Sequence, residues 1–350
     1  VARLSAVDDE LIRMLSKELS RARDQLASIM VTESDIREDD GVSERAILLE
    51  TKDMAPGMML ERYKSHMETF DTLPIDPSGS QLRFYRGEWS IWSGFPGNGK
   101  TTLLRQTCCH LLQSLAKDES LFIATLEQDP EWFLIEMAAT AAGVDMPTER
   151  QLAAFLNTYG PRLKIWGMVG IAESKKILAM IRYLASSHGC RHAVVDSLMC
   201  LDIDSTKNED QRQFANVLSA TARARGVHIH LVAHPRKPMG PDQAPNTWDV
   251  AGSSDFGRLA FNVLFVRRGP EVEGSKDITS TIVHVLKQRT YGKIGEILGY
   301  FYSSQRQFHV DPYATEPTKY LAEDQYAPPG MNDFVPFVEP RKTFPELEDF

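Results

Sequence analysis

Gly94-Phe95-Pro96-Gly97-Asn98-Gly99-Lys100-Thr101-Thr102 is the stretch on which the reading of this chain turns. It fits G-x-x-x-x-G-K-[ST], the phosphate-binding loop. The aromatic-rich Glu88–Ser93 ahead of it reads as a buried strand. Leu103, Leu104, Leu111, Leu112 and Leu115 behind it repeat at helical spacing. Strand, glycine loop and helix together predict a nucleotide site. Glycines let backbone N–H groups close around phosphates, and the positive end of the helix faces them. Lys100 is expected to reach the β- and γ-phosphates and the Thr101 hydroxyl to take a Mg²⁺ position, with ATP as nucleotide. Gly94, Pro96, Gly97, Asn98, Gly99, Lys100, Thr101 and Thr102 are the candidate nucleotide contacts.

Working outward, Leu121–Leu126 is a second apolar run and ends on Glu127, with Asp129-Pro130 opening a helix after it. A carboxylate just past a strand's C-terminal end lies on the edge where open α/β sheets bind ligands. Glu127 is therefore the candidate general base that orients water. His192-Ala193-Val194-Val195-Asp196-Ser197 is an apolar strand ending in an acid, the pattern in which the Asp serves the metal ion. Val227–Ala233 is a further strand, followed by His234-Pro235-Arg236-Lys237. His234 stands where it could sense the γ-phosphate, although a histidine there is as readily a hydrogen-bonded bystander. Arg236 and Lys237 open a long loop, 235–250, suited to a phosphate backbone. A strand over Thr281–Arg289 would put Lys287 and Arg289 on one face. Strands are also expected at 163–166, 260–266, 294–302 and 307–310, helices at 174–187 and 252–259, and a polar loop over 202–213 before a helix to about Arg225.

With 350 residues, 42% hydrophobic and 25% charged, the composition is that of a globular chain with one large α/β domain and appendages. No apolar run approaches the ~20 residues of a membrane span, and Asp8, Asp9 and Glu10 leave no visible signal peptide. Cys108, Cys109, Cys190 and Cys200 lack metal-ligand spacing and read as reduced thiols of a cytoplasmic protein. The net charge of −9 argues against a general nucleic-acid coat, but residues 311–350 carry −6 of it, so the body is nearly neutral and has room for a local basic track. The organisation expected is a helical leader over 1–79, a core over 80–312 and an acidic, Pro-rich, disordered tail over 313–350. In the leader, Leu11, Leu15, Leu19, Ala22, Leu26 and Ile29 share one helix face, and a second helix starts near Pro56 with Met59, Leu60, Tyr63 and Met67 in a stripe. The chain opens on Val1 and not on Met, which leaves room for residues upstream.

In order, the phosphate loop, Glu127, Asp196-Ser197, His234, Asp249-Val250-Ala251-Gly252-Ser253-Ser254 and Lys287-Gln288-Arg289-Thr290-Tyr291-Gly292 resemble the RecA-like motor domain of hexameric replicative DNA helicases, the DnaB superfamily. The set looks most similar to the branch of phage ring helicase-primases and the mitochondrial helicase Twinkle. The resemblance covers roughly Gly87 to Val310. It implies a mainly parallel α/β sheet flanked by helices, Arg289 as an arginine finger in the adjacent subunit's site with Lys287 beside it, and Asp196 as the second metal-side residue with Thr101. It also implies a homo-oligomeric ring, expected to be a hexamer, on single-stranded DNA. The loops after Asp196 and His234 would line its channel, and the leader helices would strap one subunit to the next. Arg258 stands about where the family has a phosphate-contacting Gln; either it senses the phosphate as a cation or the match slips there. The tail ending at Phe350 resembles the hooks with which phage replication proteins dock a polymerase. No primase zinc ribbon or acidic cluster is visible.

The function expected is an ATP-dependent helicase moving 5′ to 3′ and unwinding duplex at a replication fork, in the cytoplasm of a bacterial or phage-infected cell or in the mitochondrial matrix. Two other readings stay open: a recombinase filament of the RecA/RadA kind, and an ATP-binding regulatory or loader protein that is not a motor.

Overall fold

The computed structural model describes residues 55–204, 207–235, 244–250, 254–274 and 277–321. The chain divides into two units, Val1–Met58 and Met59–Phe350, and nearly all described residues belong to the second. The leader helix expected over 8–30 and the chain end at Phe350 lie outside the described residues. The helix expected near Pro56 is present as α1, Pro56–Glu68, and Met58, Met59, Leu60 and Tyr63 on it are exposed.

A nine-stranded sheet organises the second unit. Its parallel part comprises β1 (Trp89–Ser93), β2 (Ser120–Thr125), β3 (Leu163–Ile165), β4 (Cys190–Asp196), β5 (His228–Val232) and β6 (Asn262–Glu271). After that the sheet turns antiparallel through β7 (Ile278–Gln288), β8 (Gly295–Tyr302) and β9 (Gln307–His309). The strand order is β3-β2-β4-β5-β1-β6-β7-β8-β9. The central strands are buried on both faces, hence their near-continuous apolar sequences.

Alternation along each strand divides the core in two. Trp92, Ile123, Val194 and Val232 pack with Leu103 and Leu111 of α2 (Lys100–Ser114), Phe133 and Met137 of α3 (Pro130–Ala142) and Phe155 of α4 (Glu149–Tyr159). Trp89, Ile91, Phe122, Val195 and Leu231 pack with Ile181 of α5 (Ser174–Ser187), Phe214 and Leu218 of α6 (Asn208–Arg225) and Phe256 of α7 (Ser254–Leu259).

Helix α6 begins earlier than the sequence led us to expect. Residues 208–213 are its first turns and not a loop: Glu209 and Asp210 lie at the helix's positive end, and Gln211 and Phe214 are buried. Gly226, at φ 61°, ends the helix. The polar composition that suggested a loop belongs to the wet side of an amphipathic helix.

Residues 315–321, expected to begin a disordered tail, are instead folded against the core. Thr318 N donates to Gln307 Oε1 at 2.7 Å, and Gln113 Nε2 donates to the Lys319 carbonyl at 3.0 Å. Tyr320 and Leu321 are buried beside α2 and α4. Two aromatic or aliphatic anchors within an otherwise polar segment are enough to hold it once a groove receives them. At the other end of the core, Leu73 and Ile75 are buried in the same cluster. A turn there is organised by Asp76, whose carboxylate accepts from the Ser80, Gln81 and Leu82 amides.

Under β1, β4 and β5 runs a buried polar chain. Trp92 Nε1 can only donate, so His230 Nδ1 accepts at 3.2 Å and its proton sits on Nε2. That nitrogen donates to His192 Nδ1 at 3.1 Å, and His192 Nε2 donates to Asp71 at 3.0 Å. Beside it His228 donates to the Tyr85 carbonyl and accepts from Ser90. Burial drives His228 down to about 3 and His230 well below the ordinary imidazole range. Such fully satisfied buried networks fix register, and this one pins the approach segment at Asp71 to the sheet.

Candidate functional site

Strand register brings the site together. Trp92 pairs with Val232 and Thr125 with Asp196, so β1, β5, β2 and β4 end level with one another. The residues that follow those ends emerge side by side: the 94–99 loop, Glu127, Asp196 itself and His234. Pro96 through Thr102, Glu127, Asp196 and His234 line one cleft of about 510 Å³, a size that suits a nucleotide.

Two glycines shape the loop. Gly94 sits at φ 144° against the Val266 carbonyl, where a Cβ would collide with that oxygen. Gly99, at φ 84°, starts α2 without a side-chain cap. The first amides of α2 are thus left to an anionic ligand. Lys100 is buried, and its ammonium donates to the Gly94 carbonyl at 2.5 Å and the Phe95 carbonyl at 3.1 Å. Burial lowers its pKa, opposed by Asp196 and Glu127.

Asp196 is 6% exposed, and its Oδ2 lies 3.4 Å from the Thr101 hydroxyl. Burial first, then the neighbouring Glu127, pushes its carboxyl up to about 6, against the pull of Lys100. A buried acid held up in this way, next to a hydroxyl and a second carboxylate, is a donor set that a divalent cation would relieve, so Thr101 and Asp196 fit a magnesium ion.

Glu127 accepts the Ser197 hydroxyl, and the same Oε1 is 3.3 Å from His234 Nε2. Its turn is braced from behind. The Thr125 hydroxyl donates to the Gln128 carbonyl at 3.1 Å, Gln128 Nε2 donates to Glu136 at 3.0 Å, and Glu136 pairs with Arg105 of α2. Asp129 caps α3 through the Glu131 and Trp132 amides.

The remaining candidates fall elsewhere. Lys287 and Arg289 are together at the end of β7, as their spacing implied, but outside the cleft lining. Lys287 Nζ donates to the Gly257 and Arg258 carbonyls at 2.9 and 2.7 Å, and Arg289 donates to the Arg258 carbonyl at 2.7 Å. Burial and then Arg289 lower Lys287 to about 8. Arg258 is also away from the cleft lining, its guanidinium 3.4 Å from Asp255 on its own helix. Arg236 and Lys237 lie outside the described residues.

Several lining residues went unread in the sequence: Arg268, Asp277, Thr279, Thr281, Phe301, Ser303 and Phe308, from β6–β9 and their connections. They carry no local motif and reach the cleft only because the antiparallel strands extend the sheet past β6. Ser197 could have been found, since it follows the acid-terminated strand directly. Among the described residues no cluster of three or more His, Cys, Asp or Glu side chains could hold a metal on its own, and no helix is long and apolar enough to cross a membrane.

Residues 82–240 match the family described as an AAA domain. No curated protein matches the chain in sequence. Among solved structures, the ATPase domain of a phage helicase is similar with a TM-score of 0.60 at 16% identity, over 72% of this chain and 97% of that one. A DnaB-like replicative helicase, solved to examine its interactions with primase, is similar with a TM-score of 0.63 at 17% identity, over 85% of this chain and 76% of that one. The chain thus carries, over residues 82–240, a match to the AAA-domain family, and its fold is similar to that of a DnaB-like replicative helicase and of the phage ATPase domain.

Proposed function

We propose that the protein is an ATP-driven DNA helicase subunit that works only as part of a ring, expected to be a hexamer, on single-stranded DNA. One observation carries the reading. The cleft holds the phosphate loop, Thr101, Asp196, Glu127 and His234, whereas Lys287 and Arg289 of the same chain sit outside its lining. Arg268 lines the cleft from β6; Arg289, for its part, can stabilise charge on a phosphate only in the site of another copy, as arginine fingers complete other nucleotide sites.

Within the cleft, the loop amides and Lys100 bind and orient the triphosphate. Thr101 and Asp196 would hold Mg²⁺, which supplies charge neutralisation on the phosphate oxygens when bound. Glu127, aimed by Ser197, orients water and receives its proton. His234, touching Glu127 at the start of the loop that continues to Arg236 and Lys237, links that carboxylate to a loop suited to DNA phosphates. Grip on DNA phosphates is electrostatic, so binding weakens steeply with salt. Movement 5′ to 3′ and polymerase docking through the end at Phe350 belong to the same proposal and rest on the resemblance of the motifs alone.

The test is unwinding of a forked duplex with ATP, paired with negative-stain imaging. Closed rings that unwind are expected. Long filaments would favour a recombinase, and hydrolysis indifferent to single-stranded DNA would favour a regulatory ATPase.

A further inference from the structure

Resting on the reading that Arg289 serves a neighbouring copy's site, we infer that Glu88 is a positioning residue for Arg289, acting through Thr290 and through the charge it presents to the guanidinium. Glu88 stands immediately before β1 and is 3% exposed. One of its carboxylate oxygens accepts the Thr290 hydroxyl, and the other has no partner among the described residues. Arg289 is the charged group that acts on it, opposing the burial that pushes the carboxyl up to about 7.

The same short segment holds Arg289 by a second route. The Phe261 amide donates to the Trp89 carbonyl at 3.0 Å, and the Arg289 amide donates to the Phe261 carbonyl at 2.9 Å. The Arg289 guanidinium lies 4.9 Å from the centre of the Phe261 ring. Glu88 and Trp89 thus fix the backbone and the following residue on either side of the arginine's root.

A buried carboxylate with an unmatched oxygen is expensive, and a Gln would receive the Thr290 hydroxyl without burying a charge. What Gln lacks is the charge, and Arg289 is the cation that acts on that charge. Retaining it makes sense where the direction and poise of a guanidinium decide turnover, because misplacement by about 1 Å is already costly to catalysis.

The test uses the full chain and DNA-stimulated ATPase assays of Glu88→Gln and Thr290→Val. Both are expected to lower kcat, Glu88→Gln by about tenfold, with KM for ATP within about twofold of wild type. Mixing Glu88→Gln copies with turnover-dead Glu127→Gln copies is expected to restore activity, because the latter supply a correctly placed Arg289 to the Glu88→Gln sites. A fold defect confined to the altered copy would not be rescued in this way. The inference is overturned if both variants turn over at the wild-type rate, or if Arg289→Ala is rescued by Glu127→Gln copies and Glu88→Gln is not. Absence of rescue for Arg289→Ala itself would instead remove the shared-site reading beneath it.

Discussion

His234 Nε2 lies 3.3 Å from Oε1 of Glu127, the same oxygen that accepts the Ser197 hydroxyl. Two donors from different strand ends therefore converge on one carboxylate oxygen, and the orientation of the candidate base depends on both β4 and β5. Glu127→Gln should cut hydrolysis by about 10²–10⁴-fold while nucleotide binding persists. Ser197→Ala should cost less, since it loosens the base without removing it. Steady-state ATPase alongside fluorescent-nucleotide titration separates the two effects, and a Glu127→Gln enzyme of undiminished rate would rule out this assignment.

Lys100→Ala should abolish turnover and weaken nucleotide binding, because no other described side chain supplies a cation at the start of α2 on the loop itself. The same titration checks it; retained hydrolysis would move the site elsewhere.

Arg289→Ala should lower kcat by about 10³-fold or more with nucleotide affinity nearly intact. Copies of Arg289→Ala mixed with Glu127→Gln should recover part of the rate, whereas each alone stays inactive. The measurement is rate against mixing ratio, and a flat line at zero would count against sites shared between copies.

Glu88 also predicts a pH signature in stability. Its carboxyl is raised from 4.5 to about 7 in the folded chain. Below pH 4.5 it is protonated in both folded and unfolded states and costs nothing. Between pH 4.5 and 7 the unfolded chain releases its proton first, so stability falls as pH rises, and above about 7 the loss is constant. Glu88→Gln removes this dependence. The variant should melt above wild type at pH 8, by at most about 3 kcal/mol in unfolding free energy, with the gap closing toward pH 4.5. Thermal denaturation at the two pH values reads it directly.

Much of this was legible in the sequence because it is local. The phosphate loop and the run from Asp129-Pro130 into a helix carry their own backbone chemistry, and the apolar strands ending in Glu127 and Asp196 announce a sheet buried on both faces. What was hidden depends on contacts between distant segments. Nothing near Phe301 or Asp277 says that an antiparallel extension of the sheet brings them to the cleft. The start of α6 was obscured because charges near a helix's positive end resemble those of a loop. His228 and His230 did leave a trace, being polar residues two apart in a run otherwise apolar, and therefore on one face; the partners that satisfy them, Tyr85, Ser90, Trp92 and His192, lie far along the chain.

The fastening of residues 315–321 has a mechanical corollary. The Tyr320 hydroxyl accepts from Gln106 at 3.2 Å, and Gln106, in the second turn of α2, also holds both the amide and the carbonyl of Phe308. Tension applied to the chain past Leu321 would therefore be delivered straight to α2, the helix that starts at the glycine loop, so a pull on that end loads the frame of the cleft itself.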